Sequence, residues 1–153
     1  MANTYTQLLI QFIFTVRGRE NLIREKHREN VEKYICGIIS KHESKPLAIY
    51  CNPDHCHVLV GLNPKITVSD LANKMKSNSS KWINENYLTS RKFTWQKGFG
   101  AFSYSRSQLD AVVKYIMAQP EHHKKRTFKE EYLELLRKFD VEFDQQYLFD
   151  FIE

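Results

Sequence analysis

The sequence predicts an α+β protein built on a ferredoxin-like (split βαβ, RRM-like) antiparallel sheet. Three observations lead to this prediction: short segments of alternating apolar and polar residues, longer segments with apolar residues at helical spacing, and their order β-α-β-β-α-β. One or two further helices follow the last strand. Helices are expected to cover one face of the sheet and to leave the other face available, with residues 1–153 forming a single domain.

The first half of the chain provides a strand, a helix and a hairpin. Residues 6–16 alternate and are rich in β-branched and aromatic side chains, which is typical of a strand with one buried face. Residues 22–42 carry apolar side chains at helical spacing and predict an amphipathic helix. Residues 46–51 and 55–61 flank the turn sequence Asn52-Pro53-Asp54, so together they predict a β-hairpin.

The second half provides another helix, a last strand and the C-terminal helices. Thr67 with Asp70 three residues later predicts the capped start of a helix. Residues 91–104 alternate aromatic and polar side chains around two glycines, which predicts the fourth strand. Ser107 is the expected cap of the next helix, and Pro120 should end it because proline disfavours helical geometry in the preceding residue. Apolar spacing beyond this point predicts one more helix.

Composition favours a folded domain and is compatible with a polyanionic partner. The chain is 42% hydrophobic and 27% charged, which is the balance of an ordinary globular protein. Lys and Arg outnumber Asp and Glu by 23 to 18, giving a formal charge of +5. The three cysteines form no CxxC pair, so we expect neither disulfides nor a cysteine zinc site, and a reducing cytoplasm. Polar residues interrupt the apolar N-terminal stretch, which predicts neither export nor a membrane location.

His55 and His57 are the first candidates for chemistry. Residues two apart on a strand point to the same face, so both imidazoles can converge on one ion while Cys56 faces the opposite side. Such a pair is also compatible with an ordinary polar strand face, and the pair alone favours that interpretation. Two imidazoles do not complete a coordination shell, so a metal site here would need an oxygen ligand from elsewhere in the chain.

Tyr115 and Gln119 are the second pair of candidates. They lie four residues apart on a predicted helix, so both side chains project from one helix face. A hydroxyl nucleophile and a carbonyl oxygen could then meet one metal site. The alternative is a tyrosine packed through its ring beside a solvated glutamine, which is the commoner arrangement of such a pair.

Together, the two motifs resemble those of a known enzyme family. Residues 53–60, PDHCHVLV, are similar to the His-hydrophobic-His strand of the HUH nucleases. Residues 115–132 are similar to the tyrosine helix and following segment of TnpA-type transposases from the smallest bacterial insertion sequences, the IS200-like family. In order and spacing, the resemblance extends over nearly the whole chain. Cys56 is a departure, because a bulkier aliphatic residue is usual at that position.

The resemblance implies a single-tyrosine transposase that cleaves and rejoins single-stranded DNA with hairpin ends. His55, His57 and Gln119 would hold Mg²⁺ or Mn²⁺, and Tyr115 would attack the scissile phosphate to form a 5′-phosphotyrosine link. The resemblance also implies a homodimer, in which the tyrosine helix of one subunit can complete the metal site of the other.

Two groups of basic residues are candidates for DNA contact. The first group lies on the second predicted helix and could equally form a solvated face; it consists of Lys74, Lys76 and Lys81. The second is denser and favours DNA contact over a simple exposed charge run; it consists of His122, His123, Lys124, Lys125 and Arg126. Trp82 and Trp95 could stack on unpaired bases or pack in the core, and the sequence assigns neither role.

Two other functions stay open at this point. One is a related HUH nickase, either for replication or plasmid transfer or as a domesticated relative that processes chromosomal repeats. The short chain and its single candidate tyrosine favour a transposase over the larger relaxases. The other is a noncatalytic module that binds single-stranded nucleic acid through its sheet. A binding module should keep all its activity in Tyr115→Phe, whereas a transposase should lose the covalent adduct and keep its DNA affinity.

Overall fold

Four antiparallel strands form one sheet in the computed structural model, which describes residues 3–18 and 21–149. The strands are β1 (Leu9–Thr15), β2 (Lys45–Cys51), β3 (His55–Gly61) and β4 (Gly100–Tyr104). Their order across the sheet is β2-β3-β1-β4, so β3 lies between β1 and β2, the two strands that the first helix connects. This is the split βαβ arrangement, and the predicted fold class is confirmed.

Helices pack on both faces of this sheet. The helices of the described residues are α1 (Glu25–Lys41), α2 (Val68–Glu85), α3 (Leu109–Met117), α4 (Gln119–His123) and α5 (Phe128–Lys138). α1 and α2 contribute to the core on one face, whereas α3 and α5 pack on the other face. Within residues 3–18 and 21–149, no helix combines the length and the apolar character that crossing a membrane requires.

The face under α1 and α2 carries the larger apolar core. Phe12 and Phe14 of β1 and Val58 and Val60 of β3 all point to this side and are fully buried. Alternate residues of a strand face opposite sides, so the apolar positions of both central strands meet the helices here. Each such side chain contributes about 1.5–3 kcal/mol when it leaves water, and this face holds more of them than the other.

The opposite face combines apolar packing with a polar cluster. Ile13 of β1 packs with α5, and Leu59 of β3 packs with Ile116 of α3. His55 and His57 share this face with Leu59, because the three residues alternate with the core-facing positions of β3. The face that the sequence left available is therefore covered by α3 and α5, and the candidate site lies beneath those helices.

The fourth strand is shorter than predicted. Strand pairing starts at Gly100, and the preceding segment makes an isolated bridge between Trp95 and Val16. Phe93 and Trp95 pack edge to face at 4.8 Å, and the Trp95 indole donates to Ser79 Oγ at 2.9 Å. These aromatic residues alternate because they enter the core, so Trp95 has a packing role.

Helix capping agrees with the prediction at one position and differs at another. The Thr67 side chain accepts a hydrogen bond from the Asp70 N–H at 3.0 Å, as its position predicts. Ser107 was the predicted cap of the tyrosine helix, but Ser105 instead caps the 3-10 turn before that helix, through a reciprocal capping box with Gln108. A short 3-10 turn at Arg106–Gln108 therefore precedes α3 and displaces the cap by two residues.

The tyrosine-bearing helix stops earlier than expected. α3 ends at Met117, and α4 begins at Gln119 with Pro120 in its first turn, where a missing N–H costs nothing. The proline thus starts a new short helix after the break. Tyr115 and Gln119 consequently belong to two consecutive helices and not to one.

Gly100 lets α5 approach the sheet closely. A Cβ atom at this position would lie 2.6 Å from Tyr132 Oη and 2.9 Å from a carbon of its ring. A larger residue would therefore push Tyr132, and α5 with it, away from β4. Because α5 also carries a residue of the candidate site, this contact helps to position that site.

Candidate active site

Two buried imidazoles at the start of β3 form the centre of the candidate site. His55 and His57 are both almost completely buried, and their ring centroids are 5.2 Å apart. His55 Nδ1 lies 2.7 Å from Asp54 Oδ1, and His57 Nδ1 lies 2.8 Å from Gln11 Oε1. An acceptor oxygen at Nδ1 favours the tautomer that keeps the lone pair on Nε2. Both Nε2 atoms are therefore prepared to bind a cation.

Glu131 of α5 brings a carboxylate to these nitrogens. Its side chain is fully buried, which is rare for a carboxylate that has no charged or hydrogen-bonding partner. Glu131 Oε1 lies 3.2 Å from His57 Nε2 and 3.9 Å from His55 Nε2. One ligand atom from each of the three residues lies within 4.8 Å of the others, so the group could hold a metal ion.

The electrostatics of this group favour a cation between its members. Burial lowers the pKa of His57, although the hydrogen bond and the charge of Glu131 act in the opposite direction. A neutral His57 that donates from Nδ1 would turn a lone pair towards the carboxylate. That arrangement is repulsive unless a positive charge lies between the two groups. The donor set, two imidazoles and one carboxylate, therefore fits a divalent ion.

Tyr115 and Gln119 reach the same carboxylate from α3 and α4. The Tyr115 hydroxyl donates to Glu131 Oε2, and Gln119 Nε2 donates to the same oxygen at 3.3 Å. Although the helix breaks between them, their spacing still brings both side chains to one point. Gln119 is fully buried and not solvated, and its Oε1 accepts from Asn52 Nδ2 at 3.2 Å.

The start of α5 fixes the position of Glu131. Thr127 and Glu130 form a reciprocal capping box, in which the Thr127 hydroxyl accepts from the Glu130 N–H at 3.2 Å. Hydrogen bonds from Thr127 lower the pKa of Glu130. Phe128, one residue further, stacks on the His55 ring at 3.7 Å with planes 12° apart. The helix start therefore orients both a carboxylate and one imidazole.

His123 belongs to the site and differs from the rest of its basic cluster. Its Nε2 lies 3.0 Å from Gln119 Oε1 and 3.5 Å from Glu131 Oε1. Burial, with a further contribution from His55 and His57, lowers the pKa of His123 to about 4. With this low pKa, His123 would contact DNA as a neutral imidazole, and its role in DNA binding stays a prediction.

The three cations of that cluster border an open cleft beside His55. The cleft has a volume of about 480 Å³, and Lys124, Lys125, Arg126 and Phe128 are among its lining residues. Lys124 and Lys125 are exposed, whereas Arg126 is partly buried. Three consecutive cations thus lie at a cleft that His55 also lines.

The basic residues of α2 lie elsewhere. Because α2 packs on the opposite face of the sheet, Lys74 and Lys81 are exposed there, away from the imidazoles. The Lys76 ammonium donates to the Gln96 and Gly98 carbonyls, each at 2.7 Å. Lys76 therefore holds the segment before β4, and the structure does not bring this group together with the site.

Sequence reasoning missed Glu131, Asp54 and Gln11. A signal for Glu131 does exist: it falls three residues after Phe128 and one before Tyr132, on the buried face of α5. A carboxylate on an apolar helix face needs a partner, and that requirement points to a site. Asp54 and Gln11 become recognisable only when the strand register is known.

Comparison with known proteins identifies the family. The family model described as "Transposase IS200 like" matches residues 4–119, which is more than half of the chain. The protein therefore belongs to the IS200-like transposase family, which is the family that its motifs resemble. A search of curated proteins found no match.

Two solved structures share the fold. The first, a candidate transposase from Deinococcus radiodurans R1, is 15% identical, with a TM-score of 0.61 and coverage of 76% of this chain and 94% of its own. The second, a REP-associated tyrosine transposase bound to a REP hairpin, is 14% identical, with a TM-score of 0.61 and coverage of 99% and 92%. Because the second structure covers 99% of this chain, its similarity extends over α5, the helix that carries Glu131.

Proposed function

We propose that the protein is a metal-dependent endonuclease and strand transferase for single-stranded DNA, acting through a 5′-phosphotyrosine link at Tyr115. One observation carries the proposal: the Tyr115 hydroxyl shares a buried carboxylate with His57. A binding module has no need for this arrangement, because burying Glu131 beside two imidazoles costs free energy that apolar residues would not. Family membership and the tyrosine transposase fold support the same activity.

The two oxygens of Glu131 face two different parts of the site. Oε1 faces the imidazole nitrogens, and Oε2 faces the Tyr115 hydroxyl. His55, His57 and Glu131 would hold Mg²⁺ or Mn²⁺, with Gln119 as the further oxygen ligand that family resemblance implies. When bound, such an ion neutralises charge on the scissile phosphate and assists the leaving oxygen.

Tyr115 would act as the nucleophile. Its Oη forms the new bond to phosphorus, and the bond from phosphorus to the 3′-oxygen breaks. The hydroxyl proton passes to Glu131 Oε2, which already accepts its hydrogen bond, and the departing 3′-oxygen takes up a proton. The 5′-phosphate stays on Tyr115 as a diester, so attack by another 3′-hydroxyl rejoins DNA without ATP.

Hairpin-ended single-stranded DNA is the proposed substrate. The relative bound to a REP hairpin, the net charge of +5 and the basic cleft beside His55 support this choice. Within one chain, the Tyr115 ring lies 6.1 Å from the His57 ring and its hydroxyl meets Glu131, so we propose a site that one chain can form. The homodimer stays a prediction from family resemblance.

The direct test uses purified protein and labelled single-stranded DNA that carries the hairpin ends flanking the gene. We expect a covalent protein–DNA band on a denaturing gel with Mg²⁺ or Mn²⁺ and no band with EDTA. Tyr115→Phe should lose the band and keep DNA binding, while Tyr87→Phe, which alters an exposed tyrosine, should behave as wild type. Tight binding without any band would support the noncatalytic module instead.

A further inference from the structure

We propose that Arg126 is a catalytic residue that binds the scissile phosphate beside Tyr115, and that Glu134 holds its guanidinium in place. This inference rests on the proposed function. The other cations at the cleft, Lys124 and Lys125, would attract DNA without contacting the scissile phosphate. Lys124 pairs only loosely with Glu121, 3.4 Å away, and both of these side chains are largely exposed.

The Tyr115 hydroxyl lies between a negative and a positive group. The hydroxyl donates its hydrogen bond to Glu131, and Arg126 Nη2 lies 3.4 Å from the Tyr115 Oη atom. The guanidinium therefore faces the lone pair of the attacking atom. In a productive complex the phosphorus must come within about 3–3.5 Å of that atom, which brings its non-bridging oxygens within reach of the guanidinium.

Glu134 fixes the other side of the guanidinium. Arg126 Nη1 forms an ion pair with Glu134, which lies two turns into α5, and the Arg126 side chain is 26% exposed. A guanidinium has five N–H donors in a planar fork, so the contacts with Glu134 and Tyr115 leave donors for a phosphate. Glu134 is 63% exposed, so this ion pair contributes little to stability, and the effect we propose for it is on the orientation of the guanidinium.

The tyrosine ring is held by His122 of α4. His122 packs on Tyr115 with ring centroids 4.5 Å apart and planes tilted by 30°. Burial lowers the pKa of His122, and the charges of Arg126 and Lys125 lower it further. The ring is thus packed by a neutral imidazole while Arg126 provides positive charge at the hydroxyl. A phosphate that Tyr115 attacks would then meet Arg126 beside the hydroxyl.

The test compares two substrates under single-turnover conditions with saturating DNA. One carries the normal scissile phosphodiester, and the other carries an uncharged methylphosphonate at that bond. We expect Arg126→Ala to slow adduct formation on the phosphodiester by about 100-fold or more, the usual loss for one charge-stabilising donor. On the methylphosphonate the loss should be about 5-fold or less, because there is no anionic oxygen to stabilise and the two changes are coupled.

Three further variants make the result specific. Arg126→Lys should recover part of the rate, and Glu134→Gln should slow adduct formation by about tenfold because the guanidinium loses its anchor. Arg137→Ala removes an exposed arginine of α5, the helix that carries Glu134, and should leave the rates on both substrates unchanged. DNA affinity should fall far less than the rate in Arg126→Ala, a split that a structural role would not produce.

The outcomes distinguish the two proposals. If wild-type protein forms no adduct on the phosphodiester, the proposed function fails and the role of Arg126 fails with it. If wild-type protein is active and Arg126→Ala loses the same factor on both substrates, or loses nothing, the function stands and this inference is overturned. If a thermal melt shows that Arg126→Ala is unfolded at the assay temperature, Arg126→Gln and Arg126→Lys are compared on the two substrates in its place.

Discussion

The two faces of the sheet are built from alternate residues of the same strands, yet they serve different purposes. Towards α1 and α2, Phe12 and Val58 pack into an apolar core. Towards α3 and α5, Gln11 and His57 form part of a buried polar cluster with Glu131. The larger apolar cluster lies on the first face, and the candidate site lies on the second. Period-two alternation lets one strand meet both demands, because a change on one face leaves the other face in register.

The largest effect should come from Glu131→Ala, which removes the carboxylate that both halves of the polar cluster share. We expect Mn²⁺ affinity, measured by calorimetry, to fall by more than the roughly 10–100-fold that loss of an outer partner costs. Covalent adduct formation should fall with it. Glu85→Ala, which removes an exposed carboxylate of α2, is the matched control and should leave affinity unchanged. Unchanged affinity in Glu131→Ala would remove this residue from the metal site.

Phe12→Ala tests the opposite face. It should lower the free energy of unfolding by about 3–5 kcal/mol in a urea titration, because it leaves a cavity in the main core. Measured at low temperature, where the variant is folded, its Mn²⁺ affinity should stay within about twofold of wild type, since distant sites act independently. A large loss of affinity in the folded variant would contradict the separation of the two faces.

Asp54→Asn should have an intermediate effect, because Asp54 orients His55 through its Nδ1. We expect Mn²⁺ affinity to fall by roughly 10–100-fold with little change in fold. Burial alone would raise the pKa of Asp54, but the hydrogen bond and charge of His55 outweigh it and lower the pKa below 3.8. This pair therefore contributes stability above that pH, and the contribution is lost as the pH falls through the lowered value. An unchanged affinity would mean that His55 needs no orienting partner.

The smallest effect concerns a residue outside both clusters. Tyr87 follows α2 with φ of +52°, so its backbone lies in the left-handed region, and its side chain is 90% exposed and adds no contact in the core. Tyr87→Gly should raise the free energy of unfolding by about 0.5–1 kcal/mol. Glu43→Gly, at φ of +59° after α1, should raise the free energy of unfolding by a similar amount and is an independent repeat of the test. Metal affinity should be unaffected in both variants, and a decrease would contradict the proposed location of the site.

Local sequence patterns predicted most of the fold but only part of the site. β3 was predicted with its observed bounds, and Thr67 was recognised as a cap, because both depend on neighbouring residues. The start of β4 was placed too early, since Phe93 and Trp95 alternate but lie before the strand, where Trp95 forms only an isolated bridge with Val16. Their alternation reflects entry into the core, and no local pattern separates these two causes.

Glu131 illustrates what the sequence could not provide. It lies 74 residues from His57, and their contact depends on how α5 returns across the sheet. Arg126, which the sequence placed only in a basic cluster, lies 11 residues from Tyr115 and meets it across α4, whereas the contact of Glu131 with His57 is long-range. Long-range contacts of this kind follow from topology and close approach, such as that of α5 at Gly100.

The most direct test of the central claim is to locate the covalent bond. Wild-type protein is incubated with hairpin-ended single-stranded DNA and Mn²⁺, digested with nuclease and protease, and analysed by mass spectrometry. We predict a nucleotide attached through a 5′-phosphate to the peptide that contains Tyr115, and to no peptide when EDTA is present. Attachment to another residue, or cleaved DNA without any attached peptide, would contradict the phosphotyrosine mechanism.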